Sequence, residues 1–141
     1  VGASNFRPWD WTLLQSAMRH PLVTNQIELS LKKIAPFTNG DLAFHQEHDH
    51  VVMAWSPLGG GDLMTTDGEL GSRLDSIAAR YSADRAAVAT AFLLAHPAEI
   101  TPVLGTNNLE RIGQITDALT IELDRQDWFW LYESALGHEV P

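Results

Sequence analysis

The sequence predicts an α/β fold built on a parallel sheet. Short apolar runs alternate with amphipathic helical stretches in the order strand, helix, strand, helix, strand, the pattern of repeated βαβ units with right-handed crossovers. The run Val51–Ala54, bounded by Pro57 and by Gly59, Gly60 and Gly61, reads as a strand buried on both faces. Polar, flexible stretches then follow the strands at their carboxyl ends, where parallel folds meet their ligands.

Taken in order, Val1–Ala3 end a first strand and Ser4-Asn5 begin a loop. Pro8 suits the first turn of a helix carrying Leu13, Leu14, Ala17 and Met18 at helical spacing, since proline has no N–H to lose there. Leu22–Ser30 form a second extended run in which Gln26 faces away from its strand neighbours. Lys32–Gly40 read as a loop, Asp41 as the cap of a short helix to about His48, and Val51–Ala54 as the central strand. A helix over Leu70–Tyr81 places Leu70, Leu74, Ile77, Ala78 and Tyr81 on one face. Ser82 is expected to cap the next, which carries Val88, Ala91, Phe92 and Leu93. Ile100–Leu104 form a brief apolar segment before Gly105-Thr106-Asn107-Asn108, and a helix follows with Leu109, Ile112, Ile115 and Leu119 at core spacing. Finally, Asp124 caps a helix with Asp127 in its first turn and a Leu123–Trp128 hydrophobic staple, and a short tail runs from Gly137 to Pro141.

The chain has 141 residues, 45% of them hydrophobic, and no internal repeat, so it suits one packed unit or a piece of one. The opening Val1-Gly2-Ala3 carries no initiator methionine and reads as a fragment cut into a strand already under way. A formal net charge of -9 disfavours nucleic-acid and anionic-membrane partners, which need clustered basic side chains. No apolar stretch approaches membrane-spanning length. The absence of cysteine removes disulfides and thiolate metal sites and permits a cytoplasmic location.

Two stretches point to chemistry. Trp55 offers a flat apolar face at a strand tip, with Ser56 and the backbone N–H groups of Leu58–Gly61 beside it; a planar ring carrying phosphates suits such a rim. Gly105 followed by small polar residues at a helix start is a place where anions settle on free N–H groups.

Ser4-Asn5, Gln26, Trp55-Ser56-Pro57-Leu58-Gly59 and Gly105-Thr106-Asn107-Asn108-Leu109-Glu110-Arg111 together resemble, in order and spacing, the carboxyl-terminal half of an aldo/keto reductase. Tryptophan at position 55, where many relatives carry tyrosine, resembles the branch containing potassium-channel β subunits and their bacterial kin, and the ending Ala135–Pro141 is similar to that of a bacterial branch. The resemblance implies a TIM (β/α)8 barrel using NADPH to reduce a small carbonyl substrate. Residues 1–141 would form the carboxyl-terminal part of that single domain, about its last half. It further implies that Ser4, Asn5 and Gln26 grip the nicotinamide carboxamide and that Trp55 stacks on the nicotinamide ring. Ser56, Leu58, Gly59 and Gly60 would run along the pyrophosphate. Gly105, Thr106, Asn107 and Arg111 would hold the adenosine 2'-phosphate, and Gln114 would touch adenine. Ile115 stands where many members carry an adenine-contacting asparagine, and Gly105 where some carry a phosphate-binding lysine, so discrimination for NADP(H) rests mostly on Arg111. The family's Asp, Tyr, Lys and His catalytic group belongs to the first half of the barrel, and no residue here corresponds to it. The other half is then expected in the same chain or as a partner chain.

Each site residue also has a plainer reading. Trp55 could be a core aromatic, Ser4-Asn5 a turn pair, Gln26 the partner of a buried backbone group, and Arg111 a solvated helix residue pairing with Glu110 or Asp117. His45-Gln46-Glu47-His48-Asp49-His50 reads as a solvated helix end rather than a metal site, because it lies opposite the proposed rim. Trp128 and Tyr132 share a helix face suited to packing on the barrel wall, with Trp130 partly elsewhere. Two functions are compatible with these residues: an NADPH-dependent oxidoreductase, and a non-catalytic NADP(H)-binding sensor or regulatory subunit.

Overall fold

A computed structural model describes residues 1–140; Pro141, the end of the expected tail, lies outside the described residues. Strands β1 (Gly2–Ser4), β2 (Thr24–Glu28), β3 (Val51–Trp55) and β4 (Thr101–Val103) form one parallel sheet in the order β1-β2-β3-β4. Spatial order equals chain order. Each strand therefore adds on the same side of the last, which is barrel winding; a doubly wound sheet reverses direction and takes helices on both faces.

The helices are α1 (Pro8–Ala17), α2 (Asp41–Glu47), α3 (Gly68–Tyr81), α4 (Arg85–Leu94), α5 (Leu109–Thr116) and α6 (Arg125–Leu136). They cover one face of the sheet. On that face Asn25, Ile27, Val52 and Ala54 are buried, while the register sets Ser4, Gln26 and Met53 in a row across the other, with Glu28, Trp55 and Val103 in the next row. β3 therefore departs from the expected strand buried on both faces: Val51 is 46% exposed and Met53 half-buried, because among the described residues nothing covers the second face.

Helix α4 is the centre of the helical layer, every residue from Ala86 to Leu93 being buried, as befits a helix apolar all round. Trp128 of α6 stacks on Phe92 with ring centroids 4.7 Å apart and donates its indole N–H to the Phe92 carbonyl at 3.0 Å. Tyr132 stacks behind it, and Trp130 is turned outward beneath the Arg73 guanidinium. Asp124 caps α6 as expected, accepting from the Asp127 N–H at 2.8 Å.

Four local expectations are corrected. Ser82 does not cap α4; it closes α3 in a left-handed conformation (φ 51°), and Asp84, two residues on, accepts from the Ala87 N–H. Asp41 is the first helical residue of α2 rather than its cap, and its buried carboxylate takes Arg7 and Asn39. In α1 the buried residue is Trp11, while Leu13 is 72% exposed. The expected helix stops at Thr116, with only Ile115 buried in α5; Leu109 faces outward, as does Leu119 in the 3-10 turn beyond it. No helix among the described residues is long and apolar enough to cross a membrane.

Candidate functional site

The ends of β1, β3 and β4 and the start of α5 surround the functional region. Asn5, just past β1, adopts a left-handed conformation (φ 57°), and Ser56, just past β3, does the same (φ 53°). Such backbone is uncommon outside glycine and turns a chain sharply. The turn brings the Asn5 side chain to Trp55, fifty residues away, where its Oδ1 accepts the indole Nε1–H at 2.9 Å. The indole is thereby tethered at one edge. The Asn5 N–H and the Ser4 hydroxyl both donate to the Gln26 carbonyl, at 2.9 and 3.1 Å. Since Asn5 spends its oxygen on the indole, its amide NH₂ is the group left to donate.

From Trp55 a cleft of about 670 Å³ runs to the start of α5, within the span of about 300–1,000 Å³ common to ligand sites. Of the residues predicted from sequence it brings together Trp55, Ser56, Leu58, Gly60, Gly105, Thr106, Arg111 and Gln114. Ser4 and Gln26 lie beyond its Trp55 end, and Asn5 lines a neighbouring hollow with Trp55, Glu28 and Lys33. Gly59 and Asn107 do not line the cleft. Gly59 is instead pressed on the Lys32 stem, which a side chain at that position would strike, and Asn108 rather than Asn107 organises the helix start, accepting from the N–H groups of Glu110 and Arg111.

The glycine loop also corrects an expectation. Its N–H groups are turned inward: Gly59 donates to the Ser56 carbonyl, Gly60 to the Ser56 hydroxyl at 2.8 Å, and Gly61 to the Leu58 carbonyl. What the loop leaves for a ligand is the Leu58 N–H, the Ser56 hydroxyl proton and its own close, side-chain-free surface. The opposite end of the cleft is better supplied with charge. Arg111 is exposed and has no carboxylate within 4 Å among the described residues, so the alternative pairing with Glu110 or Asp117 is not formed.

Some lining residues were not singled out from sequence, among them Met64, Asp84, Ala86 and Val103. They come from three separate segments that meet only in the folded chain. Asn25 was passed over too, though a polar residue on the helix-facing side of a buried strand is a signal in itself. The His45–His50 run departs furthest from its reading as a solvated helix end. His45 is fully buried, its Nε2 2.9 Å from the Asn25 amide nitrogen and its Nδ1 3.3 Å from His50. Burial first, and then the neighbouring His50, push its pKa down to about 4 against an opposing pull from Asp41.

A single winding of parallel strands with a ligand-sized cleft at their carboxyl ends defines a partial (β/α)8 barrel. The aldo/keto reductase family model matches residues 1–133, and the chain belongs to that family. It is 58% identical over 141 residues, 99% of its length, to a 6-dehydroglucose reductase of Agrobacterium fabrum (strain C58), of which it covers 48%. Among solved structures, the thermostable aldo-keto reductase Tm1743 aligns with a TM-score of 0.83 at 25% identity, over 94% of this chain and 47% of that one. A Gox0644 variant solved with NADPH aligns with a TM-score of 0.76 at 24% identity, over 92% of this chain and 44% of that one. The chain thus spans about half the length of the curated relatives it matches.

Proposed function

We propose that this chain is the cofactor-binding half of an NADPH-dependent reductase that converts a carbonyl to an alcohol in the cytoplasm. The catalytic group would come from the remaining half of the barrel, in the same chain or in a partner. The observation that carries this reading is the cleft itself, which joins a tethered indole face at one end to a free guanidinium at the other. The residues present fit a dinucleotide phosphate. Trp55 supplies a flat surface for the nicotinamide, and the Asn5 NH₂ and the Gln26 amide supply the donor and acceptor its carboxamide needs. The Ser56 hydroxyl is suited to a phosphate oxygen, and Arg111 to the doubly charged 2'-phosphate through charge-assisted hydrogen bonds. A bound reduced nicotinamide would supply hydride; Trp55 would offer its ring a flat surface, and Asn5 and Gln26 would hold its carboxamide. The substrate named in the Agrobacterium relative, 6-dehydroglucose, is the first carbonyl to try. The hollow beside Trp55, with Glu28 and Lys33 on its wall, suits a hydroxyl-bearing molecule.

NADPH and NADH titrations followed by tryptophan fluorescence on the intact protein test the assignment. Arg111→Ala is expected to lower the NADPH-over-NADH preference roughly 10- to 100-fold, the worth of one or two hydrogen bonds to a charged group. An unchanged ratio would remove Arg111 from the site. The half-barrel relation has its own test. Among the described residues β1 and β4 each pair on one side only, and Val23 and Val51 lie exposed. Gel filtration of the isolated 141 residues is therefore expected to show self-association, and a cooperatively melting monomer would contradict it.

A further inference from the structure

We propose that Asn25 and His45 are positioning residues for the nicotinamide clamp: acting through Phe6, they hold Asn5 in the left-handed conformation that delivers its side-chain oxygen to the Trp55 indole.

The inference rests on the cofactor reading above and on a chain of contacts that reading does not use. The β1–β2 ladder ends where Asn5 turns left-handed, which leaves the N–H and C=O of Phe6 without strand partners. Buried backbone groups need replacements, and the Asn25 side chain provides both. Its Oδ1 accepts the Phe6 N–H at 3.3 Å and its Nδ2 donates to the Phe6 carbonyl at 2.8 Å. The donor and acceptor on Phe6 also settle which way the amide points, since the reverse orientation would set donor against donor.

Asn25 is fully buried and its second amide hydrogen is spent on His45 Nε2. An amide nitrogen only donates, so His45 must present an unprotonated Nε2 and carry its proton on Nδ1, facing His50. Trp11 meets the His45 ring edge to face at 4.9 Å and holds its plane. The result is a continuous path from His45 through Asn25 and Phe6 to Asn5 and Trp55. Without it, Phe6 would be free to rotate, Asn5 to relax out of its left-handed well, and the indole would lose its tether.

The effect is confined to the nicotinamide end, which gives a readout that general destabilisation does not. In the intact protein, Asn25→Ala is expected to weaken NADPH binding about tenfold, leaving the NADPH-over-NADH ratio in place because Arg111 is untouched. A double-mutant cycle with Asn5→Ala supplies the decisive comparison: if Asn25 works through Asn5, the double variant is no weaker than Asn5→Ala alone. Independent multiplication of the two losses, or wild-type affinity in a folded Asn25→Ala protein, would overturn the proposal. Should Asn25→Ala fail to fold, the His45 pair reads the same path. His45→Leu, which offers no acceptor, is expected to weaken NADPH, and His45→Gln, whose carbonyl can take the Asn25 hydrogen, to recover most of the loss. Equal affinity in these two would count against the path. Failure of the parent protein to bind NADPH at all would overturn the cofactor reading and this inference with it, whereas normal parent binding with additive variants overturns the inference alone.

Discussion

Gly71→Ala is expected to destabilise the intact protein by about 3 kcal/mol, the upper range for forcing atoms into a packed site, and to weaken dinucleotide binding with it. Gly71 is buried in α3, and a Cβ there would lie 2.2 Å from the Thr66 carbonyl oxygen. That neighbour is backbone and cannot rotate aside. The same oxygen accepts from Arg85 Nη1 at 2.7 Å, while the other edge of the guanidinium grips Asp75 through two bonds of 2.6 and 2.7 Å. Arg85 thus ties α3 and α4 to the segment that leaves the glycine loop, and Met64, just before it, lines the cleft. Pushing Thr66 away breaks this tie and frees the loop. Urea denaturation should show a lower midpoint at constant slope, and a Gly71→Ala protein with wild-type stability would mean that α3 shifts bodily at little cost.

Acid should destabilise the protein well above the range where carboxylates titrate. His45 is neutral in the fold, with its pKa pushed down to about 4 from the ordinary 6.5, and burial pushes His50 and His96 in the same direction. Between those two pH values the unfolded chain binds a proton that the folded chain refuses, so stability is fully present above about pH 6.5 and declines as pH falls toward 4. For His45 the span corresponds to about 3 kcal/mol at most. The physical reason is first the burial of the imidazole and then the neighbouring His50; a proton on Nε2 would in addition oppose the Asn25 NH₂ with a second donor. Asp75, whose pKa is held below the ordinary 3.8 chiefly by its hydrogen bonds to Arg85, loses its contribution only at lower pH. The two windows therefore separate. Denaturant midpoints taken from pH 7 to pH 4 should fall for the parent protein and fall less in His45→Gln, where His50 and His96 still contribute; a parallel fall in both would transfer the effect to other groups.

The particular residues divide cleanly between what a local pattern can encode and what it cannot. A run of β-branched residues ending in Trp55-Ser56-Pro57 specifies a strand and its loop without reference to the rest of the chain, and the sheet has its parallel order. Caps within three residues of the N–H groups they accept from were legible for α6, where Asp124 stands alone; between Ser82 and Asp84 the choice fell to whichever residue the end of α3 left free, since Ser82 is consumed in closing it. The opposite case is α1, whose leucine spacing names a face but not the surface that covers it, and there Trp11 is the residue packed against His45 and His50.

By itself, then, the sequence determined the alternation of strands and helices, the strand-tip loops that make the rim, and the family to which the chain belongs. Tertiary structure alone decided that the glycine-loop N–H groups turn inward, that Arg111 stands free of acids, that His45 is buried, and that Asn5 reaches Trp55. Periodicity and capping act over three or four residues, the reach of one turn of helix or one strand repeat. Hydrogen bonds between groups twenty and fifty residues apart depend on how whole elements pack, and no local pattern carries that information.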